Sequence, residues 1–232
     1  MIHGYDYKLV TVSNLGERHG TWSKVPVIKE ALRHHQFVVF MDADATFHYP
    51  QLPLEWLFNY WDITPDTLIA MAVDPNDPEN LDARGRIFLN TGFIIAQQSP
   101  RTMELFEAWE SCPENNVGFP DCSWWSFHWP HEQGAFGTHI RYLFNQPEDV
   151  KELPCAEANG CPDVANTGCI GEFVQHWWAR KDRVGPAVGE SIIQNFLPQL
   201  HSLFNQLSHS FVDNVDDPFG VGKGTPPAEP SE

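Results

Sequence analysis

Residues 37–41, FVVFM, are five apolar side chains in a row, and they run straight into Asp42-Ala43-Asp44. A strand with no polar alternation must be covered on both faces, which is the condition of a strand in a parallel sheet flanked by helices. In such sheets ligand crevices open at the carboxyl ends of strands. Two carboxylates two residues apart at that edge can both aim at one hard cation.

The rest of the chain alternates in the way this requires. Residues 7–12 read as a first strand. Trp22, Val25, Ile28, Ala31 and Leu32 fall at helical spacing within 21–35, where Pro26 fits near the N-terminus. A short helix is expected over 51–61, buried strands over 67–73 and 87–96, and a Pro/Asp/Asn-rich loop over 74–86. The Asn-Thr-Gly at 90–92 should interrupt the second of these strands. Helices are expected over 100–111, 132–143 and 187–208, with 112–130 and 145–172 irregular. The pattern predicts an α/β fold: one domain over 1–212 with a mostly parallel central sheet flanked by helices, and a disordered acidic, Pro/Gly-rich tail over 213–232.

At 232 residues the chain can bury a core and preform a cleft without metals or disulfides. A net charge of −17 argues against nucleic acid or an anionic membrane as partner. No apolar run reaches 18 residues, so no membrane span is expected, and the opening MIHGYDYK has no signal-peptide core. The nine Trp are mostly core residues, but any exposed ones would suit the C–H faces of sugars. Five cysteines cannot all pair internally. Cys155 and Cys161 bracket a Pro/Asn/Gly-containing loop suited to a disulfide. Cys122, His128 and His131 are zinc-ligand types, although their spacing matches no strong template.

Asp42 and Asp44 favour magnesium or manganese, which can neutralise charge on a leaving phosphate. Asp42-Ala43-Asp44-Ala45-Thr46 also fits the Asp-x-Asp-x-Thr of haloacid-dehalogenase-type phosphatases, with Asp42 as nucleophile and Asp44 as general acid. That chemistry needs an acidic pair closing a later buried strand, and the Asp216-Asp217 pair sits in the polar tail.

Five blocks occur in order: WSK at 22–24, DADATF, FLNTGFIIAQQSPRTMELFEAW, HEQGAF and FVQHWWARKD. Together they resemble glycosyltransferase family 34, which includes fungal α-galactosyl- and α-mannosyltransferases and plant xyloglucan xylosyltransferases. The resemblance covers roughly residues 3 to 182. It implies a nucleotide-sugar-transferase fold of the A type, manganese (magnesium second) and transfer with retention. The donor would be a UDP-sugar ahead of a GDP-sugar, the acceptor a glycan, with a transferase complex and the Golgi lumen as setting. By position, Asp42, Asp44 and His176 would ligate the metal, and Lys24 and Lys181 would hold the diphosphate. Asn90 would bond sugar or acceptor hydroxyls, and Gly92 would let backbone approach closely. Gln133 would lie nearest the anomeric carbon and Glu132 would support the sugar, while His131, standing where the family block commonly opens with an acid, would be a further donor-binding residue. HGYDYKLV resembles the family's second strand region, which would leave the nucleotide-base strand outside this chain. A catalytically inactive, scaffold-like relative is the alternative.

Overall fold

The computed structural model describes residues 3–13, 16–115 and 117–207. A four-stranded sheet, ordered β1-β4-β3-β5, forms its centre. Its strands are β1 (Phe37–Met41), β3 (Ile69–Val73), β4 (Leu89–Gln97) and β5 (Val150–Leu153). β4 runs antiparallel to β1 and to β3, and β3 is parallel to β5. Three strands therefore share one direction, but inserting β4 between two of them leaves a single parallel ladder. Two further strands, β2 (Ala45–Phe47) and β6 (Val174–His176), pair antiparallel in a small separate sheet.

Alternate side chains divide the sheet between two cores, as the period of a strand dictates. Val38, Phe40, Ile69, Met71, Ile94 and Ala96 face one layer, made by α1 (Lys24–Leu32), α3 (Pro100–Ser111) and the helical segment from Glu132. That segment is α4 (Glu132–Ala135), a π-helical stretch Phe136–Ile140 and α5 (Arg141–Leu143). Phe37, Val39, Ala70, Ala72, Phe93 and Ile95 face the other layer, which includes α2 (Leu54–Tyr60) and α6 (Cys155–Ala158). The last helix, α7 (Val184–Leu207), packs on β2.

Several expectations are corrected. Residues 7–12 form no strand, and Tyr7 and Leu9 are exposed, because among the described residues no neighbouring strand supplies a ladder to them. β1 is half-buried, not covered on both faces, because among the described residues it pairs with β4 alone and lies at the sheet edge. β4 runs unbroken through Asn90-Thr91-Gly92; the irregularity falls on its partner, between Met71 and Val73. The 145–172 region contains β5 and α6. Cys155 pairs with Cys169 instead of Cys161, and Cys112 pairs with Cys122. Cys161 is left as a buried thiol packed with Trp177 and Ala187. The 213–232 tail lies outside the described residues.

Candidate active site

Asp42 leaves β1 with its amide still bonded to the Gly92 carbonyl at 2.8 Å, so the strand geometry persists up to the first carboxylate. The chain then turns into β2, where Ala45 stands opposite His176 of β6. Asp44, one residue earlier, accepts a hydrogen bond from the Trp177 amide at 2.8 Å. This register brings a histidine 132 residues away beside the Asp-x-Asp turn. His176 Nε2 lies 3.2 Å from Asp44 Oδ1 and 4.0 Å from Asp42 Oδ2. One donor atom from each of the three residues falls within 4.8 Å of the other two.

The donor set fits a divalent cation. Asn159 turns its amide nitrogen to Asp74 Oδ1 (3.2 Å) and therefore its carbonyl oxygen to His176 Nδ1 (2.9 Å). Nδ1–H then donates to Asn159, and Nε2 is the nitrogen that faces the two carboxylates and would give a bound cation its lone pair. Hydrogen bonding to His176 holds the Asp44 carboxyl well below the usual range against partial burial, and Lys181 adds to this at 3.1 Å. The Lys181 side chain is 74% exposed, which leaves its ammonium free to swing toward an incoming anion.

Lys24 is placed differently. It opens α1 and is only 6% exposed, with its ammonium 3.0 Å from Asp42 and 3.1 Å from Glu132 and a further bond to the Thr91 carbonyl (3.1 Å). Burial opposes its charge, but Glu132 and Asp42 outweigh this and raise its pKa above the ordinary value. Lys24 thus sits beneath Asp42 as a buttress, unlike the exposed Lys181.

Glu132 and Gln133 both reach β4. Glu132 Oε1 accepts from the Thr91 hydroxyl at 2.9 Å, while its buried Oε2 has no hydrogen-bond partner among the described residues. A buried acceptor without a donor is costly, and a ligand hydroxyl would satisfy it. The Gln133 amide is engaged at both ends, accepting from Thr91 N–H at 3.1 Å and donating to Asp74 at 2.6 Å. Asn90 is similarly spanned between Asp74 (2.9 Å) and the Gly92 amide (2.8 Å). The space over Gly92 is filled by the His176 ring, so the group that approaches this glycine is a side chain.

Asp74 is the residue that sequence patterns missed. It follows β3 and sits in the loop-like stretch 74–86, but it is buried with three amides, from Asn90, Asn159 and Gln133, around its carboxylate. Burial pushes its pKa up, against those three donors. Asp74 and Asn159 join the sheet side of the cluster to His176.

His131 lies outside this cluster. Its ring stacks on His19, with centroids 3.7 Å apart. The Cys122/His128/His131 grouping is not a zinc site, since Cys122 is oxidised to Cys112 and His128 stacks on Trp124. Cys112, Cys122 and His139 also converge, but the same disulfide occupies both sulfurs.

Solved structures of glycosyltransferases resemble this chain in fold. A glycosyltransferase involved in the glycosylation of the major capsid of PBCV-1 shares the fold, with a TM-score of 0.51 at 14% identity over 78% of this chain and 80% of that one. Mouse xyloside xylosyltransferase 1 in its apo form gives a TM-score of 0.45 at 15% identity, over 72% and 69%. No curated protein sequence matches. The fold is that of the A-type glycosyltransferases, as the sequence blocks implied, and the phosphatase alternative falls with it. One family's sequence model spans residues 17–192, from before α1 through the Asp-x-Asp turn and β6 into α7, and the chain belongs to that family, the nucleotide-diphospho-sugar transferases.

Proposed function

We propose that this chain is a retaining, divalent-metal-dependent hexosyltransferase that moves a sugar, galactose first and mannose or xylose next, from a nucleotide diphosphate to a glycan acceptor. The observation that carries the reading is the convergence of Asp42, Asp44 and His176 donor atoms within 4.8 Å at the carboxyl end of β1. These three residues would hold manganese, or magnesium, which when bound supplies positive charge against the departing diphosphate. The preference for UDP over GDP rests on the motif resemblance, as do the Golgi lumen as setting and a transferase complex as context. Among the described residues no helix is long and apolar enough to cross a membrane.

The protein's own groups have separable tasks. Lys24 fixes Asp42 from below and Glu132 from the side. Lys181, exposed beside Asp44, is placed to meet diphosphate oxygens as a point charge. The free Glu132 Oε2 is an acceptor for a donor-sugar hydroxyl, and Gln133 keeps one carbonyl lone pair to set against charge growing at the anomeric carbon. The leaving diphosphate can itself take the acceptor's proton.

Calorimetric titration of UDP and GDP, with and without manganese, tests this on the wild type and on Asp44→Ala. The expected result is manganese-dependent binding of UDP that is lost in the variant. Folded wild-type protein that binds neither nucleotide overturns the reading and leaves the scaffold alternative.

A further inference from the structure

Several large rings of this chain are spent on its interior. Trp22, Trp61, Trp109 and Trp177 are all buried. The segment that leads into Glu132 behaves differently: Trp124, Phe127 and Trp129 are 56%, 59% and 76% exposed within six residues. Three such rings left largely in water forgo the stabilisation that burial would give them.

The segment is not loosely held. Cys122 at its start is bonded to Cys112. The Trp125 carbonyl accepts from the Trp22 indole N–H at 3.0 Å, and the Ser126 carbonyl accepts from the His19 amide at 2.8 Å. The Trp125 side chain packs inward, over Gly134 of α4 and against Phe88. The His131 amide bonds back to the His128 carbonyl at 2.7 Å. A tied backbone that turns one Trp in and three rings out is presenting those rings.

The rings also have a direction. Trp129 meets His131 edge-on, with centroids 6.1 Å apart, and His131 stacks flat on His19. His131 then turns sharply, with φ +58° and ψ −124°, a conformation uncommon for a residue with a side chain, and the next residue is the buried Glu132. The Glu132 carboxylate is one ammonium, that of Lys24, away from Asp42. The row of rings therefore begins at the rim of the proposed sugar site.

We infer that this segment, with Trp129 as its main face, is the platform on which the acceptor sugar stacks. The inference rests on the transferase reading, in which the buried polar cluster takes the donor and the rim is left to the acceptor. Residues 122–131 contain no Asp, Glu, Lys or Arg, in a chain of net charge −17. That composition suits a neutral pyranose, whose C–H face packs on a ring while its hydroxyls meet the His128 and His131 nitrogens. A charged peptide acceptor would find no counter-charge there.

The test uses methyl β-galactoside, methyl α-mannoside and methyl β-xyloside as probes, followed through the indole N–H signals of the full chain by NMR. The Trp129 signal is assigned by its disappearance in Trp129→Phe. One glycoside is expected to shift that signal, to bind about tenfold more weakly to Trp129→Ala, and to recover part of the loss in Trp129→Phe. Manganese–UDP binding is expected to be the same in all three proteins. The platform is overturned if no probe moves the Trp129 signal in protein that binds manganese and UDP. It is equally overturned if Trp129→Ala binds the glycoside as tightly as wild type, or if phosphatidylcholine vesicles move the signal and glycosides do not. Absence of nucleotide binding with a glycoside response at Trp129 intact condemns the donor-site reading alone.

Discussion

The His176 ring occupies the space that Gly92 leaves by having no side chain: a Cβ at position 92 would stand 2.1 Å from His176 Cε1 and 2.7 Å from both ring nitrogens. Real Cβ contacts do not approach that closely, and β4 is too deeply paired to give way. Gly92→Ala is therefore expected to push the ring off β4 and away from Asp42 and Asp44. Manganese affinity should fall by at least tenfold, the scale seen when a ligand's support is removed. Manganese titration by electron paramagnetic resonance checks this, with circular dichroism to show that the fold persists. Unchanged affinity in a folded variant would mean that His176 does not bind the metal.

The proton on His176 Nδ1 is set by Asn159, whose own amide is set by Asp74. Asn159→Ala removes that constraint and should weaken manganese binding by about 10–100-fold. It should also cost about 1–3 kcal/mol of stability, because Asp74 loses one of its three donors while buried. Asn159→Asp separates the two effects. Its carboxylate still accepts from Nδ1–H, so metal binding should largely survive, but a second acid beside Asp74 should lower the melting temperature further. Equal metal loss in both variants would remove the tautomer argument.

The parts of this molecule that were legible in sequence are those where one residue type has one job. FVVFM had to be a strand, the acids after it had to face a crevice, and Pro100–Ser111 carries its own start, with Ser99 capping Thr102 N–H and Pro at the first turn. Asp74 and Asn159 were not legible because a polar residue in a Pro/Asn/Asp-rich stretch looks the same whether it turns a loop or is buried by tertiary contacts. β5 was missed for a related reason: VKEL has two apolar residues, and it becomes a strand because β3 offers it a ladder. The outward Trp129 and inward Trp125 are four residues apart in one aromatic run, and sequence alone did not separate them.

Lys24 is expected to matter for folding before it matters for catalysis. Lys24→Met leaves Glu132 buried without a counter-charge and Asp42 without its support, and removing one partner of a buried pair typically costs about 3–5 kcal/mol. Since the folded-state pKa of Lys24 is raised, its contribution is fully present at neutral pH and is lost only as pH climbs through that raised value, above the ordinary 10.5. Urea denaturation at pH 7 should therefore show the whole loss. Adding Glu132→Gln to Lys24→Met should recover part of it, since the uncompensated buried charge is then gone. If the double variant is as unstable as the sum of the singles, the two side chains do not act as a pair.

The stacked histidines set an acid limit on the same rim. Burial, then the neighbouring His19, lowers the pKa of His131, because charging both of two rings held 3.7 Å apart sets like charges against each other. A base whose folded pKa is depressed contributes stability that is present above its unfolded value of 6.5 and is lost as pH falls through the folded one. The melting temperature should thus drop as pH is lowered from 7 through 6 and below. His131→Phe keeps a stacking ring and removes the titration, so its melting temperature should depend less steeply on pH over that window. With eleven histidines in the chain the informative quantity is the difference in slope between the two proteins. Identical slopes would show that the pair titrates freely, and that acid acts on the fold through other groups.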